Sequence, residues 1–285
     1  WDSFRKVIEQ AGKFHADLFL IAGDLFHRQP LVKDLKKVNA LFSMIPDTKI
    51  VLIAGNHDYL RKDSPYRKFK WGKNVRGLWN QNISHVDFPE LGVRISGCSY
   101  GSREITRPVY DSLKKSGEMP VEILLAHGGD EKHIPISKER LAASGFDYIA
   151  LGHIHKPQIL IKDRMIYAGA LEPIDKNDIG PHGFIKGEIR NGRVQTAFVS
   201  SALREYKNAE IIVTEATAQH SLEQKIRDII KSKGEENIYT LTIRGKRDPE
   251  SEFYLKSLYR AGNIRDIEDK SRPSYSLEEL CSRYR

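Results

Sequence analysis

The chain has 285 residues, 40% of them hydrophobic, with 46 Lys and Arg against 38 Asp and Glu for a formal net charge of +8. That is enough to bury a sizeable core in one large domain plus a smaller one, and no apolar stretch approaches the roughly 20 residues a membrane helix needs. No signal-peptide pattern opens the chain, and Cys98 and Cys281 are too few and too far apart for a disulfide framework, so both read as free thiols and the expected location is the cytoplasm.

Phe4, Val7, Ile8, Ala11 and Phe14 keep helical spacing from the first turn. Because the chain opens inside this helix at Trp1, a further N-terminal segment is expected in the native protein. An apolar strand, Leu18 to Ala22, then runs into Gly23-Asp24. A second helix fits Val32 to Ile45, with Leu35, Val38, Leu41 and Phe42 on one face, and the strand Ile50 to Ala54 runs into Gly55-Asn56-His57-Asp58. Strands follow at Val93–Ser96, at Ile123–Ala126 (running into His127) and at Tyr148–Leu151 (running into Gly152-His153-Ile154-His155). This alternation predicts parallel βαβ units in a layered α/β domain.

From Ile159 the pattern becomes a β-meander, with strands Ile159–Ile161, Met165–Tyr167, Phe184–Ile189 and Val194–Val199 and a hairpin turn at Asn191-Gly192. These strands are expected to form a second sheet packed on the first, giving an α/β/β/α sandwich over residues 1 to 202. Near Leu203 the pattern changes again, to a strand at Glu210–Thr214, a helix at Leu222–Lys231, a strand at Ile238–Ile243, a helix at Glu252–Tyr259 and a terminal helix at Leu277–Tyr284. These are read as a small α+β domain at 203 to 285.

Four apolar strands thus each deliver Asp, Asn or His at the C-terminal end. Asp24, Asn56, His127, His153 and His155 offer oxygen and imidazole donors without a thiolate, a set that suits Mn²⁺, Fe²⁺ or Zn²⁺ in a catalytic rather than a structural role. On an extended backbone His153 and His155 point the same way, toward one small volume. A carboxylate can bridge two ions about 3.5–4 Å apart, the separation in two-metal hydrolases, and Asp24 is the candidate bridge. Asn56 limits the negative charge, which keeps the ions electrophilic toward a phosphate. His57, next to Asn56, points elsewhere and is assigned to the substrate, polarising the phosphate or protonating the leaving oxygen. His15, His85, His133, His182 and His220 are read as ordinary satisfied polar residues.

The excess charge is concentrated. Arg61, Lys62, Arg67, Lys68, Lys70, Lys73 and Arg76 face a single acid, Asp63, for a local +6, and Tyr59, Tyr66, Phe69, Trp71 and Trp79 are interleaved with or flank them. The segment is either a solvated loop or a phosphate-backbone contact surface with stacking side chains, and its place directly after Gly55-Asn56-His57-Asp58 favours the second.

In order, the motifs GD, GNH[DE], a lone His and GHxH resemble the calcineurin-like metallophosphoesterases over residues 4 to about 200. Within that superfamily Gly23-Asp24-Leu25-Phe26, Gly55-Asn56-His57-Asp58, Gly152-His153-Ile154-His155-Lys156-Pro157 and Tyr167-Ala168-Gly169-Ala170 are most similar to the SbcD and Mre-type DNA repair nucleases. The resemblance implies a manganese-dependent nuclease in which Asp24 bridges two divalent ions. Asn56, His127 and His153 would hold one ion, His155 would help hold the other, and His57 would be the catalytic histidine. It further implies DNA as substrate, with Arg61, Arg67, Lys68, Lys70 and Lys73 as the candidate contacts. An SMC-like coiled-coil ATPase of SbcC type would be the partner, a homodimer is possible, and the segment beginning near Arg204-Glu205-Tyr206 would be the capping domain. Two alternatives stay open: a small-substrate phosphodiesterase or nucleotidase of the same superfamily, and a catalytically degenerate DNA-binding scaffold. The sequence departs from the family at two points. It contains no Asp-x-His, the family's first motif, and His27 stands where relatives commonly carry Asp after GDLF, leaving its role open between a further ligand and a partner behind the ligands.

Overall fold

The computed structural model describes residues 1–275, so the helix expected at Leu277–Tyr284 and Cys281 lie outside the described residues. The chain divides into two compact units, Trp1–Leu171 with His182–Ser201, and Glu172–Pro181 with Ala202 onward. In chain order the first unit holds α1 (Asp2–Lys13), β1 (Leu18–Ala22), α2 (Val32–Phe42), β2 (Lys49–Ile53), a single turn α3 (Pro65–Lys68), β3 (Val75–Gly77), β4 (Ser84–Phe88) and β5 (Val93–Gly97). It continues through β6 (Val121–His127), α4 (Lys138–Ala142), β7 (Tyr148–Gly152), β8 (Gln158–Ile161), β9 (Met165–Tyr167), β10 (Gly183–Arg190) and β11 (Arg193–Ser200).

Two sheets make the centre of this unit. One is parallel, in the order β1-β2-β3; the other has six strands in the order β4-β5-β6-β7-β9-β8, antiparallel only at its two edges. Strand periodicity sorts each apolar run onto two faces. Leu18, Leu20 and Ala22 of β1 join Val51 and Ile53 of β2 in a core shared with Ile95, Ile123 and Leu125, between the two sheets. The alternate residues Phe19, Ile21, Ile50 and Leu52 face the other way, against Ile8 and Ala11 of α1 and Leu35, Val38 and Phe42 of α2. On the far side, Leu124, Ala126, Ile149 and Leu151 pack with Tyr100, Tyr110, Ile134 and Leu141 of α4. Strands buried on both faces read as unbroken apolar runs, which is why β2, β6 and β7 stood out in the sequence. Each fully buried Ile or Leu in these layers stabilises by about 1.5–3 kcal/mol.

The layering is the expected α/β/β/α sandwich, but its strands are allotted differently. The second sheet is not the late meander: β8 and β9 extend the six-stranded sheet through the parallel β7–β9 pair, and β10–β11 form a separate two-stranded hairpin. The division instead falls between β1–β3 and the strands from β4 on. A doubly buried strand carries the same apolar pattern in either sheet, so hydrophobicity alone cannot assign it. The hairpin turn lies where expected, with Asn191 at φ 50° and Gly192 at φ 71°, the positive pair a two-residue type I′ turn requires.

The second unit contains β12 (Tyr206–Val213), α5 (Gln219–Lys233), β13 (Ile238–Arg247), α6 (Leu255–Leu258) with a following 3₁₀ turn, β14 (Ile264–Asp269) and β15 (Arg272–Pro273). Its sheet is parallel, in the order β12-β13-β14 with β15 on β13. Leu222, Ile226 and Ile230, at four-residue spacing on α5, cover Ala209, Ile211, Val213, Tyr239, Leu241 and Ile243. No helix among the described residues is long and apolar enough to cross a membrane.

Candidate metal centre

Strands β1, β2, β6 and β7 are parallel within their sheets, and their C-terminal ends deliver the polar residues where the two sheets meet. In open α/β sheets ligands collect at such ends. His127 continues the face set by Ile123 and Leu125, toward β1, and is fully buried at 0% exposure. Its Nδ1 lies 2.7 Å from the carbonyl oxygen of Ala22. A carbonyl only accepts, so the ring proton sits on Nδ1 and the lone pair of Nε2 points inward. Facing that lone pair are Asn56 Oδ1 at 2.9 Å and Asp24 Oδ2 at 3.3 Å.

On the other side of Asn56, His153 Nδ1 lies 3.1 Å from the same amide oxygen, while its Nε2 lies 2.8 Å from Asp130 Oδ2. The carboxylate takes the ring proton, so Nδ1 also offers a lone pair. Two imidazole lone pairs, an amide oxygen and a carboxylate thus converge with no hydrogen-bond donor among them, and the ligand atoms of Asp24, His127 and His153 lie within 4.8 Å of one another. Acceptors crowded together without a proton repel each other, and a cation between them removes the conflict. The residues present fit a divalent ion with N and O ligands.

The backbone is bent to make this cluster. Asp24 has φ 49° and His153 φ 95°, in the left-handed region that non-glycine residues seldom adopt, and Gly23 has φ 84°. A Cβ on Gly23 would lie 2.5 Å from His127 Nδ1, so the close approach of β1 to the imidazole also needs glycine there. The conformation of His153 corrects one expectation. Strand β7 ends at Gly152, so His153 and His155 do not share an extended backbone and the argument that both rings point the same way does not apply. His155 is half-buried, with its carbonyl accepting from Ala170 N–H at 2.8 Å, and belongs to neither of the carboxylate–imidazole groups found among the described residues.

His57 is not one of the grouped ligand residues, and its backbone N–H donates to Asp24 Oδ1 at 2.8 Å. Its ring stacks on His27, centroids 4.6 Å apart, so His27 is the neighbour of His57 and not of the converging group. Burial holds the His57 imidazole below its ordinary pKa despite the nearby Asp24 carboxylate. Asp24 is pushed up by burial, yet with the His57 backbone N–H donating to it, it stays below the usual carboxylate range. The site therefore presents an ionised Asp24 beside a neutral His57 at neutral pH.

Three supporting residues escaped the sequence reading. Asp58 is fully buried, its carboxylate accepting from Gly55 N–H at 2.7 Å, Phe26 N–H at 3.2 Å and Tyr66 Oη at 2.6 Å, which ties together the two loops that carry Asp24 and Asn56. Asp130 Oδ2 lies 2.8 Å from His153 Nε2 and its Oδ1 2.9 Å from His133 Nδ1, so His133 is a satisfied polar residue that also touches the carboxylate behind His153. Asp58 follows the His of a motif already recognised, a signal that could have flagged it. For Asp130 only the third dimension shows the contact.

The seven cations between Arg61 and Arg76 are exposed, which keeps Arg61, Arg67, Lys68, Lys70 and Lys73 available to an anionic partner. The aromatics among them are not. Tyr66 is buried, stacks on Trp79 at 4.8 Å and on Trp71 at 6.3 Å, and Phe69 packs edge-on to Trp71, all against the α1–α2 core. Of the aromatics expected to stack on this surface, Tyr66 is buried and Phe69, Trp71 and Trp79 pack partly buried against that core, while Tyr59 is half-buried beneath the Arg61 guanidinium, 5.4 Å from its ring centroid.

The sequence profile of the calcineurin-like phosphoesterases matches residues 1–157. The chain is 28% identical to the Uncharacterized metallophosphoesterase YhaO of Bacillus subtilis over 260 residues, 85% of this chain and 63% of that protein. It is 30% identical to the DNA double-strand break repair protein Mre11 of Methanocaldococcus jannaschii over 193 residues, 62% of this chain and 51% of the relative. With the protein of the same name from Archaeoglobus fulgidus, identity is 26% over 280 residues, 85% and 62% of the two chains. The chain thus spans between about half and 63% of the length of these relatives. With its motif residues converging at the strand ends and the family profile covering more than half its length, the chain belongs to the calcineurin-like phosphoesterases, a family that works with divalent metal ions.

Proposed function

We propose that the chain is a metal-dependent nuclease acting on DNA phosphodiesters, of the kind its Mre11 relatives' name implies, with residues 1–202 as the phosphoesterase domain and 203–285 as a capping domain. The observation that carries the chemistry is the donor-free convergence of Asp24, Asn56, His127 and His153. Asp24 would bridge two ions, Mn²⁺ being our choice, with Asn56, His127 and His153 around one and His155 assisting at the other. Divalent cations there supply Lewis-acid polarisation of a phosphoryl oxygen and lower the pKa of water near neutrality.

The chain's own residues do the rest. Asn56 contributes an oxygen without charge, so the anionic substrate meets one carboxylate rather than two. His57, beside the cluster and partly exposed, would present a ring N–H to polarise a phosphate oxygen or, in its protonated form, would protonate the leaving oxygen. His27, stacked on it, limits its rotation. The exposed cations of residues 61–76 attract the phosphate backbone without reading sequence. In this reading the chain acts in DNA repair in the cytoplasm, with an SMC-like coiled-coil ATPase as partner.

The inward packing of Tyr66, Phe69 and Trp71 favours a second reading, a small-substrate phosphodiesterase on the same centre, because it leaves this surface fewer stacking partners for bases. Digestion of linear DNA, a mononucleotide and a generic phosphodiester side by side, with and without Mn²⁺, separates the two. The nuclease reading expects Mn²⁺-dependent loss of the DNA at rates well above those on the small esters; efficient cleavage of the small esters alone would replace it with the second.

A further inference from the structure

His153 is placed on the strained turn after β7, at φ 95°, where the backbone alone does not aim its ring. What aims it arrives from the end of β6. There the chain passes through Gly128 and Gly129, at φ 144° and 135°, in a loop closed by Gly129 N–H donating to the carbonyls of His133 at 2.9 Å and Ile134 at 3.1 Å. Tyr167 Oη, 3.0 Å from the Gly128 carbonyl, pins the same turn to β9. A Cβ at Gly128 would meet the His133 carbonyl at 2.4 Å, so the path depends on glycine. The loop returns Asp130 over His153.

The carboxylate of Asp130 is itself held. Oδ1 accepts the backbone N–H groups of Lys132 at 2.8 Å and His133 at 2.9 Å, His133 Nδ1 lies 2.9 Å from both oxygens, and Oδ2 also meets His153 Nε2 at 2.8 Å. These are hydrogen-bond distances, and each oxygen already has partners.

We propose that Asp130 is a positioning residue for the metal centre: by holding the proton of His153 on Nε2 it presents Nδ1 as a lone-pair donor beside Asn56 and Asp24, and His133 braces the carboxylate. The Asp130, His133 and His153 ligand atoms also lie within 4.8 Å of one another, which alone would suit an ion. Their contacts are those of a ring N–H shared with a carboxylate, however, and Asp130 is 46% exposed at the rim, whereas the lone pairs without protons face the Asp24 side. A carboxylate behind a ligating imidazole fixes the tautomer and ring orientation and raises the ligand's basicity.

This inference rests on the metal centre proposed above, and its test separates the two. In the full chain, Asp130→Asn keeps an oxygen for the Lys132 and His133 amides but offers an N–H to His153 Nε2. That reverses the tautomer and places the proton on Nδ1, where a cation would otherwise bind. Mn²⁺ affinity by calorimetric titration should fall about 10–100-fold. Ring ¹⁵N spectra of the metal-free protein should show the His153 proton moving from Nε2 to Nδ1. His133→Ala, which leaves Asp130 in place, should weaken Mn²⁺ binding less than Asp130→Asn does. Equal Mn²⁺ affinity in wild type and Asp130→Asn would overturn the proposal, as would a wild-type His153 proton on Nδ1. The latter is read without metal, and so decides even if Asp130→Asn does not fold. A wild-type chain that binds no Mn²⁺ while holding the His153 proton on Nε2 would sink the metal centre and leave the positioning geometry standing.

Discussion

Removing the Tyr66 hydroxyl tests how the two site-bearing loops are held together. Tyr66 is 1% exposed and its Oη donates at 2.6 Å to Asp58, which is 0% exposed. Tyr66→Phe keeps the ring, its stack on Trp79 and its volume, so no cavity term enters and the change reports the hydrogen bond. Burial pushes the Asp58 carboxyl up to about 6 from the ordinary 3.8, partly offset by the bond from Tyr66. A folded-state pKa above the unfolded one means that the native protein holds this proton more tightly. The resulting stabilisation is complete below about pH 4 and is lost as the pH rises through about 6. Asp58 is therefore ionised at pH 8 and largely neutral at pH 5. A hydrogen bond to an ionised acceptor is worth about 1.5–3 kcal/mol and one between neutral groups about 0.5–1.5 kcal/mol. Urea unfolding of the metal-free chain should show Tyr66→Phe costing about 1.5–3 kcal/mol at pH 8 and about 0.5–1.5 kcal/mol at pH 5. A cost below about 0.5 kcal/mol at pH 8, or one that does not change with pH, would refute the account of this network.

His57→Ala should abolish phosphodiester hydrolysis while Mn²⁺ titration shows near-normal binding; loss of the metal would move His57 into the ligand set. Neutralising Arg67, Lys68 and Lys70 together should weaken DNA binding and lower the slope of log K against log salt by about 1 for each phosphate no longer paired with a cation, and an unchanged slope would leave the segment a solvated loop. Gly23→Ala should weaken Mn²⁺ binding and destabilise the fold by about 1–3 kcal/mol, because the new methyl meets His127 at 2.5 Å on a backbone at φ 84°. Wild-type values in titration and thermal unfolding would show that β1 tolerates the shift.

Much of the centre was legible because four unbroken apolar strands each ended in Asp, Asn or His, and the sandwich brings those ends to one place. Asp24, Asn56, His127 and His153 fall together for that reason. The expectation that the His153 and His155 rings point the same way rested on an extended backbone that the turn at His153 does not provide. Sheet membership was not legible: β8 and β9 read as the start of a new sheet, yet they extend the old one, since an apolar run records burial and not its neighbour. Composition also misled at Tyr66 and Trp71, where interleaving with cations suggested an exposed surface while the rings complete the α1–α2 core. Asp130 lay in a polar loop with no periodicity, and its approach to His153 depends on how that loop folds back.

The most direct test of the metal centre is a crystal of the full chain soaked in Mn²⁺ and mapped by anomalous scattering. We expect a peak within direct coordination distance of donor atoms of Asp24, Asn56, His127 and His153. A map with no peak among these four side chains, or with manganese only between Asp130 and His133, would contradict it.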